Sequence, residues 1–239
     1  WERALSLLEE MRAAGVAPNV ISFNAAISAC EKGGRWERAL SLLEEMRAAG
    51  VAPDVISFSA AISACEKGGQ WERALSLFEE VEASSTLVSD IGTFNAILDA
   101  MAQSQPPAAR ELWQLGVDRG VYSGFERWGD IPTLDLHNLS EGAATVAVRW
   151  WIEERVPSEL GAVNRGRGAL REQSLLSGNK TARIPARIDI VTGWGKSRQA
   201  YQSGDVRARV IALLEVMSVD FTCPNNNPGL LCVQNRQAS

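Results

Sequence analysis

Histidine is nearly missing from this chain: 239 residues contain a single one, His137. Acid–base schemes built on two histidines and histidine-rich metal centres are thereby excluded. Cysteine is scarce too. The four residues, Cys30, Cys65, Cys223 and Cys232, show no C-x-x-C or Cys/His spacing, so neither a disulfide framework nor a zinc site is indicated. No apolar run is long enough to span a membrane as a helix. Gly195-Lys196-Ser197 follows a strand-like run, but Ile190 stands where a phosphate-binding P-loop needs its first glycine, and no nucleotide site is inferred. An excess of positive charge is also lacking. With 24 Lys and Arg against 29 Asp and Glu the formal net charge is −5, which argues against tight nonspecific binding of nucleic acid. Reading of base edges in a groove is not excluded by that total. The imbalance is uneven: residues 1–120 carry 10 basic and 17 acidic side chains, residues 121–239 carry 14 and 12.

What the chain has in abundance is itself. Residues 1–35, WERALSLLEEMRAAGVAPNVISFNAAISACEKGGR, recur at 36–70 with three changes: Asn19 becomes Asp54, Asn24 becomes Ser59 and Arg35 becomes Gln70. A third, looser copy starts at Trp71. A fixed period of this size means stacked supersecondary units. In each copy Trp36, Ala39, Leu40, Leu43 and Met46 mark one face of a first helix, which Gly50 and Pro53 end. Phe58, Ala61, Ile62 and Cys65 mark a second helix from about Ser57, broken by Gly68-Gly69. Cys30 and Cys65, at equivalent places on that face, read as small buried hydrophobes. Two short amphipathic helices cannot bury their apolar faces alone, so the units must stack into an α-solenoid.

The period changes beyond Ser104-Gln105-Pro106-Pro107, where the solenoid frays into one last helix carrying Ala109, Leu112, Trp113, Val117 and Gly120. Residues 121–131 read as a connector. IPTLDLHNL at 131–139 alternates as a strand, with Leu134 and Leu136 on one face and Asp135 and His137 on the other. Ser140 opens a helix whose inner stripe is Ala143, Val146, Ala147, Trp150 and Trp151. RIDIVTGWG at 187–195 is a second strand, Asp205–Met217 a second helix, and short strands follow near 218–222 and 230–234. The order βαβαββ predicts a small α/β two-layer sandwich at 132–235. Between its first helix and second strand, 157–186 is far longer than an ordinary connection and reads as a basic disordered insertion. From Arg155 to Arg187 it holds 7 basic and 2 acidic residues. Asn138-Leu-Ser and Asn179-Lys-Thr match glycosylation acceptors, but nothing else in the sequence looks secreted.

The motif V-I-S-F-N-A-A-I-S-A-C-x-K-G-G-x-W-E-R-A-L-x-L-x-E-E-M-R-A-A-G-V-A-P-D resembles the pentatricopeptide repeat (PPR). The tetratricopeptide pattern does not fit. In that register the chain holds a partial motif at 1–19, motifs at 20–54 and 55–90, and a degenerate one at 91–124. It opens on Trp1 in mid-motif and so reads as an N-terminally truncated piece. The resemblance implies single-stranded RNA as partner, read one base per repeat through the fifth and last residues of each motif. These are Asn24 with Asp54, Ser59 with Asp90, and Asn95 at the fifth place of the degenerate motif. Asp90 takes the last place if one residue is inserted within 84–89. By family rules the first pair prefers uridine and the second guanosine. Two of the three differences between copies fall at the reading places, 19/54 and 24/59, while every packing residue is unchanged.

L-D-L-H at 134–137 and T-G-W-G-K at 192–196 resemble the two signatures of the small MutS-related (SMR) domain, with matching element order. That resemblance implies nucleic-acid binding, often with endonuclease activity, and carries Asp135, His137 and Gly193-Trp194-Gly195 over as the site. From the residues themselves, Asp135 and His137 could serve as acid or base, with the carboxylate expected to matter more. Gly193 and Gly195 allow close backbone approach to phosphate, Trp194 could stack on a base and Lys196 could neutralise a phosphate. The family usually has His-Ser where Ser197-Arg198 stand. Cleavage and plain binding therefore both stay open, and a protein scaffold would have to explain the variable reading places. No cofactor is indicated by spacing, although a carboxylate such as Asp135 could hold Mg²⁺. No small-molecule substrate is inferred. The combination implies an organellar protein, of chloroplast or mitochondrion.

Overall fold

The structure, a computed structural model, describes residues 1–129, 131–156, 187–192 and 206–234. The chain divides into two compact units, Trp1–Val121 and Tyr122–Ser239.

The first unit is all helix: α1 (Glu2–Ala13), α2 (Val20–Lys32), α3 (Trp36–Ala48), α4 (Val55–Lys67), α5 (Trp71–Ala83), α6 (Ile91–Met101) and α7 (Pro106–Asp118). Helices pair as hairpins, α2 on α3, α4 on α5 and α6 on α7, while α2, α4 and α6 stack side by side as one layer. Polar caps begin that layer. Asn19, Asp54 and Asp90 sit in extended conformation just before α2, α4 and α6, and each side chain accepts the backbone N–H of the residue three places on. At Gly50 the chain leaves α3 with φ +73°, a left-handed conformation that costs glycine nothing.

The buried stripe of α3 is Ala39, Leu42, Leu43 and Met46, so Leu42 replaces Leu40 in the expected face. Phe58, Ala61, Ile62 and Cys65 are buried as predicted, joined by Ser57 and Ala64, and α4 starts two residues early, at Val55. Tight packing recurs at each repeat boundary. A Cβ on Gly33 would lie 2.5 Å from the Trp1 ring and one on Gly68 would lie 2.2 Å from Trp36. The guanidinium groups of Arg35 and Arg73 cover those two rings at 5.0 and 4.5 Å. Ion pairs repeat with the same period, Arg12 with Glu45 at 3.0 Å and Arg47 with Glu80 at 2.5 Å.

Among the described residues of the second unit five strands form one sheet, β1 (Glu126–Arg127), β2 (Thr133–Asp135), β3 (Arg187–Val191), β4 (Phe221–Thr222) and β5 (Leu230–Gln234), in the order β1-β2-β3-β5-β4. Among the described residues only β2 and β3 run parallel; the other pairs are antiparallel. Helix α8 (Glu141–Trp150) continues into a π-helical turn (Trp151–Arg155) and packs on α9 (Val206–Val216). Its buried stripe is Ala143, Ala144, Ala147, Val148 and Trp150, with Val148 in place of the expected Val146.

Two expectations are corrected here. The strand foreseen over 131–139 is three residues long, because a turn closes straight after Asp135. The Asp135 carboxylate accepts the His137 N–H at 3.1 Å, and Leu139 N–H reaches back to Leu136 O at 3.1 Å. The stretch read as connector also contributes structure: β1 pairs with β2, Tyr122 is buried, and Phe125 and Trp128 pack at a tilt against Trp150 and Trp151 with ring centres 6.2 Å apart. The insertion at 157–186 lies outside the described residues.

Candidate nucleic-acid interface

An N-cap residue and a residue one turn inside a helix lie at similar height when two helices pack side by side. The layer α2–α4–α6 uses this geometry twice. Asn24, in the second turn of α2, donates from Nδ2 to Oδ1 of Asp54, the cap of the next helix, at 3.0 Å. Ser59, the corresponding residue of α4, lies next to the cap of α6: a Cβ built on Gly92 would stand 3.3 Å from Asp90 Oδ1 and 3.6 Å from Ser59 Oγ. The fifth residue of one motif and the last of the same motif, far apart in sequence, are thus neighbours in space. Asn95 holds the same place in α6 and is half-buried.

Asp90 caps α6 just as Asp54 caps α4, accepting Thr93 N–H at 2.9 Å. The loop before it, 84–90, is one residue longer than its counterpart 49–54. That extra residue is the insertion the register required.

Electrostatics keep Asp54 ionised. Burial alone would raise its carboxyl, but the Ser57 N–H, the Asn24 amide, the Ser57 hydroxyl and the Ile56 N–H outweigh it and hold the group below its ordinary value. Beside these polar pairs the surface is apolar. Ile21 is 72% exposed and Ile56 60%, each at the second residue of its motif, where α6 has Gly92. These exposed aliphatic groups recur at one place in successive motifs, three residues before Asn24 and Ser59. Sequence reasoning missed them because both residues sit beside valines in an apolar run that looks like core.

In the second unit Asp135 and His137 are brought together at the end of β2, not along a strand face but across the turn. His137 Nδ1 bonds Asp135 Oδ1, and Arg127 of β1 stands 3.6 Å from the other carboxylate oxygen. A carboxylate only accepts, so Nδ1 carries the hydrogen of this bond. The imidazole is 45% exposed and within reach of a ligand. Strand β3 runs alongside, Leu136 N–H bonding Val191 O at 2.8 Å, which carries Thr192 to the same sheet end. Gly193, Trp194, Gly195 and Lys196 follow Thr192 and lie outside the described residues. Among the described residues Asp135 is paired with the Arg127 guanidinium and the His137 imidazole. Among the described residues no three His, Cys, Asp or Glu side chains cluster as metal ligands.

Three of the four thiols, Cys30, Cys65 and Cys232, are buried. Burial pushes Cys30 and Cys232 up from the ordinary thiol value and Cys65 up to about 11. Among the described residues no helix is long and apolar enough to cross a membrane.

Comparison with known proteins names the repeats. Residues 18–67 match the profile of the PPR repeat family and residues 56–85 that of the PPR repeat. Two pentatricopeptide repeat-containing proteins of Arabidopsis thaliana are each 28% identical, over 145 and 141 residues. Each alignment covers 58% of this chain and 14% of the relative. Among solved structures, the pentatricopeptide repeat protein PPR10 in complex with an 18-nt psaJ RNA element is 26% identical with a TM-score of 0.50, over 75% of this chain and 26% of that one. PPR10 from maize aligns at 26% identity with a TM-score of 0.51, over 74% of this chain and 27% of its own. Residues 18–85 are therefore PPR repeats, and the N-terminal helices form a helical-repeat solenoid like that of PPR10. The chain spans only 14% of the length of the curated relatives it matches.

Proposed function

We propose that this chain binds single-stranded RNA through its PPR repeats, one base per motif, and presents that RNA to an SMR-type second unit. The carrying observation is the Asn24–Asp54 contact, in which a polar side chain and the next helix cap share one hydrogen-bonded site beside an exposed isoleucine. The amide and carboxylate can read a base edge while Ile21 and Ile56 cover base faces. Asn24 with Asp54 selects uridine and Ser59 with Asp90 guanosine, giving a 5′-UG-3′ core. Asn95 and the degenerate motif extend the site, without an aliphatic side chain at Gly92. The solenoid of PPR10, solved with RNA, supports this reading for the stacked helices.

In the second unit Asp135 and His137 supply acid or base toward an RNA hydroxyl or its leaving group, the carboxylate carrying the larger share. Gly193, Trp194, Gly195 and Lys196, which follow Thr192 in sequence, would meet phosphate and base. The Asp–His geometry supports cleavage. A second reading, a factor that protects RNA without cutting it, is supported by Ser197-Arg198 where the SMR family usually carries His-Ser. Either role fits RNA processing in an organelle, the chloroplast before the mitochondrion.

The test is to incubate the chain with RNAs carrying a UG core or its permutations, with and without Mg²⁺, following binding and fragment length together. Selective binding with new fragments supports the nuclease. Selective binding with intact RNA supports the protecting factor. Equal binding to all RNAs defeats the proposal.

A further inference from the structure

We infer that Ser57 is a positioning residue for base choice, fixing the orientation of the Asn24 amide across the repeat boundary without touching RNA. The inference rests on base reading by Asn24 as proposed above. Ser57 has no exposed surface and cannot meet a ligand. Its hydroxyl accepts the Asp54 N–H at 3.1 Å and has two acceptors in reach, Asn24 Oδ1 at 2.5 Å and Asp54 Oδ1 at 2.9 Å. Asp54 Oδ1 already receives the Ser57 N–H at 2.9 Å and Asn24 Nδ2 at 3.0 Å. One hydroxyl hydrogen can serve one acceptor well, and the shorter contact is to Asn24.

The consequence for Asn24 is geometric. A carboxylate offers only lone pairs, so the amide nitrogen must face Asp54 and the amide oxygen must face Ser57. Both ends of the amide are pinned. One N–H and one lone pair remain for a base, in a fixed order, which is what distinguishes uracil from cytosine at the same edge. Without the hydroxyl, Oδ1 loses its partner and the amide hangs on one bond to Asp54, free to turn. Met46 Sδ, 3.7 Å from the hydroxyl, offers no substitute of comparable strength.

The next motif supplies the contrast. Thr93 occupies the place of Ser57, but its hydroxyl bonds Asp90 Oδ1 at 2.9 Å. The reading residue there is Ser59, a hydroxyl that donates or accepts by rotation and has no amide to orient. The clamp is present where an amide reads and absent where a hydroxyl does.

The experiment measures binding of the chain and of Ser57→Ala, Ser57→Thr and Asn24→Ala to four RNAs that differ only at the base facing Asn24 and Asp54. Ser57→Ala should cut the preference for uridine over cytidine roughly three- to ten-fold, the worth of one polar contact. Ser57→Thr should restore it. A role in stability alone would lower affinity for all four RNAs and leave their ratio unchanged. A wild-type ratio in Ser57→Ala, while Asn24→Ala abolishes it, overturns the assignment of Ser57. A wild-type ratio in Asn24→Ala overturns base reading itself and this inference with it. Should Ser57→Ala not fold, hydrogen exchange of the Asn24 side-chain amide in the unaltered chain decides. One slow and one fast proton are expected, and two fast protons would contradict a pinned amide.

Discussion

In the first unit the packing contacts between repeats are written twice; in the second, once. Gly33 under Trp1 recurs as Gly68 under Trp36, and Arg12–Glu45 recurs as Arg47–Glu80. Against that constant frame, the changes at 19/54 and 24/59 stand out as places where variation is tolerated or selected. The second unit has no internal copy to subtract. Its single Asp135–His137 pair must be judged on geometry alone. Repetition separates packing from reading, whereas a single-copy site mixes them.

The comparison can be broken most sharply at the single-copy site. If the unit cleaves RNA, Asp135→Asn should lower the single-turnover rate about 10²–10⁴-fold. His137→Ala should be milder, and the double variant little worse than Asp135→Asn alone, because the pair acts as one device. RNA affinity should stay within a few-fold. Additive losses would show that the two residues work separately.

Core truncations come next. Trp151 and Phe58 are both buried, one in each unit. Trp151→Ala and Phe58→Ala should each cost about 3–5 kcal/mol. Calorimetry should show each variant lowering a different transition. A single transition shifted alike by both would mean that the units melt together.

Within the repeats, Gly68→Ala should push Trp36 off its seat and cost about 1–3 kcal/mol by overpacking. Denaturant midpoints should show it, with a matching loss of Trp36 fluorescence change on unfolding. No loss of stability would mean that the Trp–Gly contact is not what sets the repeat spacing.

The smallest effect separates a cap's charge from its shape. Asp54 titrates below its ordinary value in the fold, so its ionised form stabilises the native state. That contribution is complete above the ordinary carboxylate range and is lost as pH falls through the lowered folded value. Asp54→Asn should keep the cap, as Asn19 does for α2, within about 1 kcal/mol. It should also flatten the acid limb of the stability curve against pH. An unchanged acid limb would remove Asp54 from the account of acid stability.

How much of this the sequence discloses follows the same division. The solenoid, its helix faces and the register through Asp54 and Asp90 are legible, because a 35-residue copy fixes which residues align and Asp is a strong helix cap. Leu42 was missed because burial on a hairpin helix extends over two packing partners and widens the stripe past a single line. In the second unit the alternation of Leu134 and Leu136 shows the buried side correctly. It cannot show that Asp135 ends the strand by bonding the His137 N–H, since one side-chain bond outweighs a two-residue ladder. Strand β1 was invisible for a related reason: two residues have no period, and only pairing with β2 makes them a strand. The Asp135–His137 proximity was foreseen, though by the wrong route.

The central claim is that Asn24 and Asp54 together choose a base. Its most direct test compares the chain with Asn24→Ser in binding to two RNAs that carry U or G at the position read by this pair. The unaltered chain should favour U, and Asn24→Ser, which reproduces the Ser59–Asp90 combination, should favour G. An unchanged preference after the exchange would contradict it.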